Sequence, residues 1–382
     1  MSFTLALPRI SISGSNAMAD AVQVIAGQGI RSALLLTDSI LLGLDGFKEL
    51  EKHLTAAGIG CSVFHEIEPN PTVATVNKAF ALFQTAKPDV LIAFGGGSVI
   101  DTAKAVRILS ANDGPINRYE GVHHALKPGT QLVAIATTSG TAAEVTSNAV
   151  ITDTERHIKM VIISHSIIPD IAVNDPVALK SMPARTTAAT GMDALTHAIE
   201  AYVARGAHPL TDHSALASIR VITEWLPKAV DNGNDLEARE MMAHGQFLAG
   251  MAFNSAGLGC VHSLAHQPGA THNLPHGVCN AILLPLVEEF NRPAAVARFA
   301  KIAQTMGVNT AGMTEEEASL AALDAIRGLS QRVGIPPSLG SLGVTKDAIA
   351  NWIQPALNDP CTPGNPRDIN AADVEAIYLK SI

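Results

Sequence analysis

Five residues in the C-terminal half of the chain have types and spacings that suit a metal ion. Asp193 and His197 lie four residues apart in TGMDALTHAIEAY. His262 and His266 have the same spacing in CVHSLAHQPGA, and His276 follows in LPHGVCN at a predicted junction between a loop and a helix. On a helix, residues four apart share one face and lie about one turn apart. The side chains of each pair can therefore converge on one ion.

Three imidazoles and one carboxylate form a borderline-soft set of ligands. Such a set suits Fe(II), Zn(II), Co(II) or Ni(II) and disfavours magnesium or calcium, which prefer oxygen ligands. An isolated Asp-x-x-x-His pair is more often a hydrogen-bonded or solvated pair, so the interpretation depends on the combination. We predict that one divalent ion is bound by Asp193, His197, His262 and His276. The spacing leaves His266 open as a fourth imidazole ligand, a group behind the ligands or a proton carrier.

A second set of residues, in the N-terminal half, suits a dinucleotide. The strand-like run DVLIAF leads into GGGS at 95–98, after which a helix is predicted. Glycines let the backbone approach a pyrophosphate, and the helix N-terminus attracts its negative charge. A second run, QLVAIA, ends in TTSGT at 137–141. GGGS lacks the GxGxxG spacing and is also common in flexible loops, but two such strand ends favour a nucleotide site.

Three polar residues extend this interpretation. Asp38 follows the run SALLLT, where a carboxylate can accept hydrogen bonds from a ribose and repel a 2′-phosphate. We therefore predict NAD rather than NADP, although Asp38 can equally cap the next helix. Asn70 in EPNPTV and Lys159 in HIKMV are explained by proximity to a cofactor, or by turn chemistry and a solvated face.

The residues that suit a dinucleotide lie on a segment in which predicted strands and helices alternate. Strand-like runs and helical periodicity are found at 32–37, 46–57, 61–67, 73–86, 89–94 and 131–136. Strands separated by helices predict βαβ units and a parallel sheet with helices on both faces. Two runs around DTERH, within 148–163, predict a hairpin appended to that sheet. A last strand is predicted at 171–174.

After Pro183 the pattern becomes helical. Helical periodicity is found at 186–204, 211–230, 236–256 and 314–333. We predict a Rossmann-like α/β domain in residues 1–183 and an all-helical domain in residues 184–382. A cleft between two such domains is a favoured place for a ligand.

Composition excludes several classes of protein. Hydrophobic residues make up 47% of the 382 residues, which is enough for a large core. The net charge of −9, the 4% of aromatic residues and the lack of a basic run argue against a nucleic-acid partner. No apolar run is long enough for a membrane span and no secretory signal is recognised. Four cysteines without a CxxC pair are typical of reduced thiols, so we expect a cytoplasmic protein.

Together, these motifs resemble the iron-containing (group III) alcohol dehydrogenases along essentially the whole chain. The motifs that carry the resemblance are EPNPTV at 68–73, FGGGSVIDTAKA at 94–105, ATTSGTAAEVT at 136–146, TAATGMDALTHAIEAY at 187–202, QFLAGMAFNSAGLGCVHSLAHQPGA at 246–270 and LPHGVCNAILLP at 274–285. The resemblance implies an NAD-binding α/β domain and an all-helical metal-binding catalytic domain. This is a dehydroquinate synthase-like architecture, with the active site in the cleft between the domains.

The resemblance also implies roles for individual residues. It assigns the metal ligands to the same aspartate and three histidines. The predicted cofactor contacts are Asp38, Asn70, Gly96, Gly97, Ser98, Asp101, Thr137, Thr138, Thr141, Asn148 and Lys159. His266 corresponds to a histidine beside the nicotinamide and the substrate, and we expect it to pass the alcohol proton towards solvent. Phe253 corresponds to a pocket-lining position, and His272 replaces an aromatic residue near the same pocket.

The implied activity is metal-dependent and NAD-linked. A small primary alcohol or diol and its aldehyde would be interconverted by hydride transfer, with the metal polarising the substrate oxygen. Fe(II) is the expected ion, with Zn(II) possible, and a homodimer is the expected assembly. Two alternatives remain. One is a zinc enzyme of the same superfamily, such as a glycerol-type polyol dehydrogenase or a cyclising synthase, and the other is a non-catalytic nucleotide-binding protein.

Overall fold

The chain divides into two compact units in the computed structural model, which describes residues 3–123, 126–156, 158–180 and 182–382. Ala6–Met182 forms the first, here called the α/β unit. Pro183–Ile382 and the described residues 3–5 form the second, here called the helical unit. The N-terminal residues thus depart from their predicted grouping with the α/β part. The ring of Phe3 stacks on that of His208, with centroids 3.9 Å apart, which explains the difference.

Nine strands are found in the described part of the α/β unit. They are β1 (Ile10–Ser13), β2 (Ser32–Leu36), β3 (Gly60–Phe64), β4 (Val90–Gly95), β5 (Gly121–Val122), β6 (Gln131–Ala136), β7 (Asn148–Asp153), β8 (Ile158–Ile163) and β9 (Ile171–Asn174). Six of them form one sheet in the order β1-β9-β6-β4-β2-β3, and every pairing in it is parallel. The other three form a smaller sheet in the order β5-β8-β7.

The smaller sheet corrects one prediction. The hairpin of β7 and β8 is antiparallel as expected, but it is not appended to the parallel sheet, because β8 pairs with β5 instead. The apolar face of the hairpin explains this placement. Ile151 and Met160 are fully buried in a core cluster that also contains Ala105 and Ile108 of the helix after β4. The hairpin therefore packs against a helix.

Helices cover both faces of the parallel sheet. Those of the α/β unit are α1 (Ala17–Gly27), α2 (Asp45–Ala56), α3 (Val73–Ala86), α4 (Gly97–Leu109) and α5 (Pro176–Leu179). Successive side chains of β2 point to opposite faces. Leu35 belongs to a core cluster with Phe47 of α2, whereas Leu34 belongs to another with Val99 of α4. A parallel sheet buried on both faces confirms the predicted α/β architecture.

The described part of the helical unit contains helices and no strands. Its helices are α6 (Ala184–Val203), α7 (Pro209–Asp231), α8 (Leu236–Ala256), α9 (Cys260–His272), α10 (His276–Asn291), α11 (Val296–Thr305), α12 (Glu315–Arg332), α13 (Ile349–Leu357) and α14 (Ala371–Ser381). α6 is buried along most of its length and packs against α7, α8 and α10. None of the described helices has the length and apolarity that a membrane crossing requires.

The packing of the α/β unit can be tested at Phe47. This side chain is fully buried and meets Phe94 edge-on, with ring centroids 5.6 Å apart. Because Phe47→Ala removes a large apolar group and leaves a cavity, we expect a loss of about 3–5 kcal/mol in the free energy of unfolding. Denaturant titration followed by circular dichroism measures it. Ile40→Ala, at a side chain that is 77% exposed, is the control, and equal effects of the two substitutions would contradict the packing.

Candidate functional site

The central helix α6 carries two of the predicted ligands. Asp193 is 2% exposed and His197 is 5% exposed. The ring of His197 lies between two others, with centroid distances of 4.3 Å to Phe253 and 4.5 Å to His262. The carboxylate and the imidazole thus lie about one turn apart on a helix, as predicted, and the structure shows that both are buried.

Side chains from outside α9 anchor the helix end that carries His262. The backbone N–H of Val261 donates to Oε1 of Glu200, at 2.7 Å, and that of Cys260 donates to Oδ1 of Asn365, at 3.1 Å. The first N–H groups of a helix have no partner within it, so these two acceptors satisfy them. Because Glu200 belongs to α6, this contact sets α9 against the helix that carries Asp193.

His276 is the first residue of α10, and the glycine after it brings it close to α6. A Cβ atom at Gly277 would lie 2.3 Å from the backbone oxygen of Ala189 and 3.3 Å from Cβ of Asp193. Only a residue without a side chain fits at this distance. Gly277 therefore allows the first turn of α10 to approach α6, which places His276 beside Asp193.

Three of the four predicted ligands converge. The ligand atoms of Asp193, His262 and His276 all lie within 4.8 Å of one another. Oδ1 of Asp193 is 4.0 Å from Nε2 of His262 and 3.5 Å from Nε2 of His276. His197 lies outside this group of three, in ring contact with His262, and its role as a ligand stays a prediction.

Asn280 lies at the centre of this group and was missed in the sequence. Its Nδ2 is 2.6 Å from Oδ1 of Asp193, 3.0 Å from Nε2 of His276 and 3.2 Å from Nε2 of His262. An amide NH₂ group only donates hydrogen bonds and has two hydrogens, so it can be bonded to at most two of these three atoms at a time. Its spacing of four residues from His276 in HGVCN is the signal that could have identified it.

Glu200 determines which nitrogen of His262 carries the proton. Oε2 of Glu200 is hydrogen-bonded to Nδ1 of His262. An ionised carboxylate only accepts hydrogen bonds, so Nδ1–H donates to it and Nε2 keeps its lone pair. Burial lowers the pKa of His262, so the neutral ligand form is favoured. Burial, and secondarily the Glu288 carboxylate, raise the pKa of Glu200. Hydrogen bonds from backbone N–H groups, including that of Val261, act in the opposite direction and stabilise the ionised carboxylate.

The chemistry of this group fits a divalent cation. A carboxylate oxygen and the Nε2 atoms of two imidazoles face one amide NH₂ group with two hydrogens, so acceptors outnumber donor hydrogens. Among the described residues, the buried Oδ1 of Asn280 has no hydrogen-bond partner. Buried polar groups are nearly always satisfied, and a cation would satisfy these acceptors. Mixed nitrogen and oxygen ligands suit Fe(II) or Zn(II) better than magnesium or calcium.

The other predicted residues of this region divide into two groups. His266 is near the centre, with ring centroids 5.4 Å from His276 and 6.1 Å from His262, and its side chain is 30% exposed. Phe253 is buried against His197. His272 is exposed, and its ring meets that of Trp352 edge-on, with centroids 5.5 Å apart. Trp352 belongs to α13, so His272 contacts that helix. Its role in a pocket stays a prediction.

In the α/β unit, the glycine-rich loop meets the threonine-rich loop. β4 and β6 are adjacent and parallel, so their carboxyl ends meet at one edge. A Cβ atom at Gly96 would lie 3.1 Å from Cγ2 of Thr138, and one at Gly97 would lie 3.1 Å from Cγ2 of Thr141. The backbone of the two glycines and the side chains of the two threonines therefore form a tight cradle at the N-terminus of α4, which suits a phosphate.

A third loop joins this cradle. The backbone N–H of Asn70 donates to Oγ of Ser98, at 3.3 Å, and Nζ of Lys159 donates to Oδ1 of Asn70, at 2.8 Å. Asn70 has a φ of 58°, a left-handed conformation that asparagine tolerates better than most residues. The structure thus brings together three predicted cofactor residues that are far apart in sequence.

Four further residues that were predicted to contact the cofactor form hydrogen bonds within the protein. Oδ1 of Asp38 accepts the N–H groups of Ile40 and Leu41, at 2.9 and 2.8 Å, in the turn after β2, whereas α2 begins at Asp45 without a side-chain cap. Oδ2 of Asp101 accepts the N–H of Val150 at 3.0 Å. The N–H of Thr137 donates to the oxygen of Gly95 at 3.1 Å, and the oxygen of Asn148 accepts Nζ of Lys104 at 2.8 Å. Their roles in cofactor binding stay predictions.

A buried charged cluster behind this edge was also missed. Nζ of Lys104 donates to the oxygens of Thr146 and Asn148, both at 2.8 Å. Burial lowers the pKa of Lys104 to about 8 and raises those of Asp101 and Glu144 to about 6 and about 7. The lysine ties the segment after β6 to α4. No spacing in the sequence signals it, since a lysine in a helix is usually exposed.

The family comparisons cover both units. The family described as iron-containing alcohol dehydrogenase matches residues 8–176. The model described as Fe-containing alcohol dehydrogenase family, C-terminal, matches residues 187–382.

Named relatives are similar over nearly the whole chain. An NAD-dependent methanol dehydrogenase of Bacillus methanolicus is 42% identical, over 98% of this chain and 99% of its own. A 1,3-propanediol dehydrogenase of Klebsiella pneumoniae is 41% identical, over 99% and 98% respectively. A crystal structure of a 1,3-propanediol oxidoreductase matches with a TM-score of 0.98 and 40% identity, over 100% of both chains. The chain therefore belongs to the iron-containing alcohol dehydrogenase family.

Proposed function

We propose that this protein is a metal-dependent, NAD-linked alcohol dehydrogenase that interconverts a small primary alcohol or diol and its aldehyde. The observation that carries the proposal is the convergence of Asp193, His262 and His276, whose ligand atoms all lie within 4.8 Å of one another. Relatives named for methanol, 1,3-propanediol and lactaldehyde support the same class of substrate.

The metal ligands in this proposal are Asp193, His197, His262 and His276. His197 is included because its ring contacts that of His262 and lies one turn from Asp193. Fe(II) is the proposed ion, with Zn(II) as the alternative. When bound, the metal supplies Lewis-acid polarisation of the substrate oxygen, and NAD supplies the hydride chemistry.

His266 is proposed to accept the proton of the alcohol. It lies beside His276, and its side chain is 30% exposed, so a proton can pass from it to solvent. Neutral imidazole is the usual proton acceptor near neutral pH. Phe253 holds the ring of His197 by stacking, which supports its proposed place at the edge of the pocket.

The α/β unit is proposed to bind NAD, and the helical unit to hold the metal and the catalytic residues. The cradle of Gly96, Gly97, Thr138 and Thr141 suits the pyrophosphate. The Asp38 carboxylate follows β2, where it would accept hydrogen bonds from a ribose and repel the 2′-phosphate of NADP.

We propose a cytoplasmic homodimer as the working form. No disulfide joins the four cysteines, all of which lie in the described part of the chain, and thiols of this kind are typical of a reducing compartment. The dimer is the expectation from the family resemblance.

The activity is tested with a panel of primary alcohols, diols and their aldehydes. Absorbance at 340 nm follows NADH in both directions, on protein loaded separately with Fe(II) and with Zn(II). We expect oxidation of small alcohols or diols with a kcat/KM higher with NAD than with NADP. Higher activity with Zn(II) than with Fe(II) would overturn the choice of metal. A panel without any NAD-linked or NADP-linked turnover would overturn the activity.

Glu200→Gln tests the metal centre separately from turnover. The Val261 N–H requires an acceptor, so the new oxygen keeps that contact and the new amide faces Nδ1 of His262. Nδ1 must then accept, which moves the ring proton to Nε2 and removes its lone pair. We expect metal affinity to fall about 10- to 100-fold. Competition with a chromophoric chelator measures this affinity.

The control for this experiment is Glu288→Gln. Glu288 is also fully buried, but it accepts a hydrogen bond from Nδ2 of Asn291, at 3.1 Å, and Asn291 is not a proposed ligand. The substitution removes the same charge from the same region and leaves His262 in contact with Glu200. Equal losses of affinity in both variants would show that charge alone, and not the proton on His262, is responsible.

A further inference from the structure

Asp359 is hydrogen-bonded to His266 and has no role in the function proposed above. Oδ2 of Asp359 lies 2.7 Å from Nδ1 of His266. The Asp359 side chain is 10% exposed, so the pair is largely shielded from water. A carboxylate at one imidazole nitrogen determines which nitrogen carries the proton. This contact therefore bears on the chemistry of the opposite nitrogen, Nε2.

The segment that carries Asp359 is fastened to α9, the helix that carries His266. Oγ1 of Thr362 donates to Oγ of Ser263 at 2.7 Å. Oδ1 of Asn365 accepts the N–H of Cys260 at 3.1 Å. Two contacts besides the aspartate thus hold the segment against two successive turns of one helix. The position of the carboxylate relative to the imidazole is therefore defined by the fold.

The other carboxylate oxygen has its own donor. Oδ1 of Asp359 accepts the N–H of Cys361 at 2.9 Å. Burial works to raise the pKa of Asp359, but hydrogen bonds with His266 and Cys361 outweigh it and hold that pKa below its ordinary value. Asp359 is therefore an anion that accepts hydrogen bonds on both oxygens, and Nδ1 of His266 is the donor to it.

We propose that Asp359 is a positioning residue for His266. It keeps the ring proton on Nδ1 and the ring in place, which leaves the lone pair of Nε2 to accept the alcohol proton. This inference rests on the proposed function, in which His266 is the proton acceptor. Each of the two histidines of α9 is thus paired with a carboxylate from another part of the chain, and the two pairs have different roles. Glu200 prepares His262 to bind a metal, and Asp359 prepares His266 to take a proton.

Asp359→Asn tests the proposal with little change in shape. Because the Cys361 N–H requires an acceptor, the amide oxygen occupies the place of Oδ1 and the NH₂ group faces Nδ1 of His266. Nδ1 must then accept, so the proton moves to Nε2. Long-range ¹H–¹⁵N correlation on histidine-labelled, Zn(II)-loaded protein reports this directly. The His266 signals are assigned by their loss in His266→Ala.

Kinetics and metal content complete the test. We expect Asp359→Asn to lower kcat about 10²- to 10⁴-fold, the range for a lost acid–base group, with metal content unchanged. In a His266→Ala background, the same substitution should have no further effect on kcat. Asp368→Asn is the control, since its carboxylate is exposed and pairs with Arg205. It should leave kcat and the His266 tautomer as they are.

Two results would overturn the proposal. One is a His266 proton that stays on Nδ1 in Asp359→Asn. The other is a loss of kcat that is just as large when His266 is absent, because the aspartate would then act by another route. The tautomer measurement does not depend on turnover. A wild-type protein without NAD-linked activity but with the expected tautomers would refute the proposed function and leave the structural assignment intact.

Discussion

A buried carboxylate that must be compensated governs the helical unit. Asp193 is 2% exposed in the middle of α6, where an uncompensated charge is costly. The fold brings α9 and α10 onto α6 so that the Asn280 amide donates to this carboxylate, while Nε2 of His262 and Nε2 of His276 lie 4.0 and 3.5 Å from it as further acceptors. The requirement for close approach explains the glycine after His276. The acceptor-rich centre that results is a ready site for a divalent cation.

Buried carboxylates behind the imidazoles determine which ring nitrogen of each histidine carries the proton. Glu200 and Asp359 both contact Nδ1 of a histidine on α9, and both have a backbone N–H on the other oxygen. These backbone donors determine the orientation of the carboxylates, and the carboxylates determine the tautomers. Metal binding and proton transfer thereby depend on residues that contact neither the substrate nor the cofactor in the proposed mechanism.

Sequence periodicity predicted the βαβ architecture, and residue spacing predicted most of the candidate site. Asp193, His262 and His276 were identified because ligands four apart, or at a helix start, leave a local pattern. The sequence did not reveal Asp359, because its partner is 93 residues away and only the fold brings them together. Lys104 was missed for a similar reason, since its acceptors lie on later segments. The hairpin of β7 and β8 was misplaced because alternation predicts a strand but not its partner.

Nitrogen and oxygen ligands from α6, α9 and α10 are proposed to bind one ion. X-ray absorption at the edge of the bound metal tests it most directly. We expect a shell of nitrogen and oxygen only, at about 2.0–2.2 Å when zinc is bound, with the outer scattering of several imidazoles. Cys260 and Cys279 lie near the proposed ligands in sequence and offer sulfur as an alternative. A scatterer at about 2.3 Å, typical of thiolate, or a shell without imidazole would rule out this set of ligands.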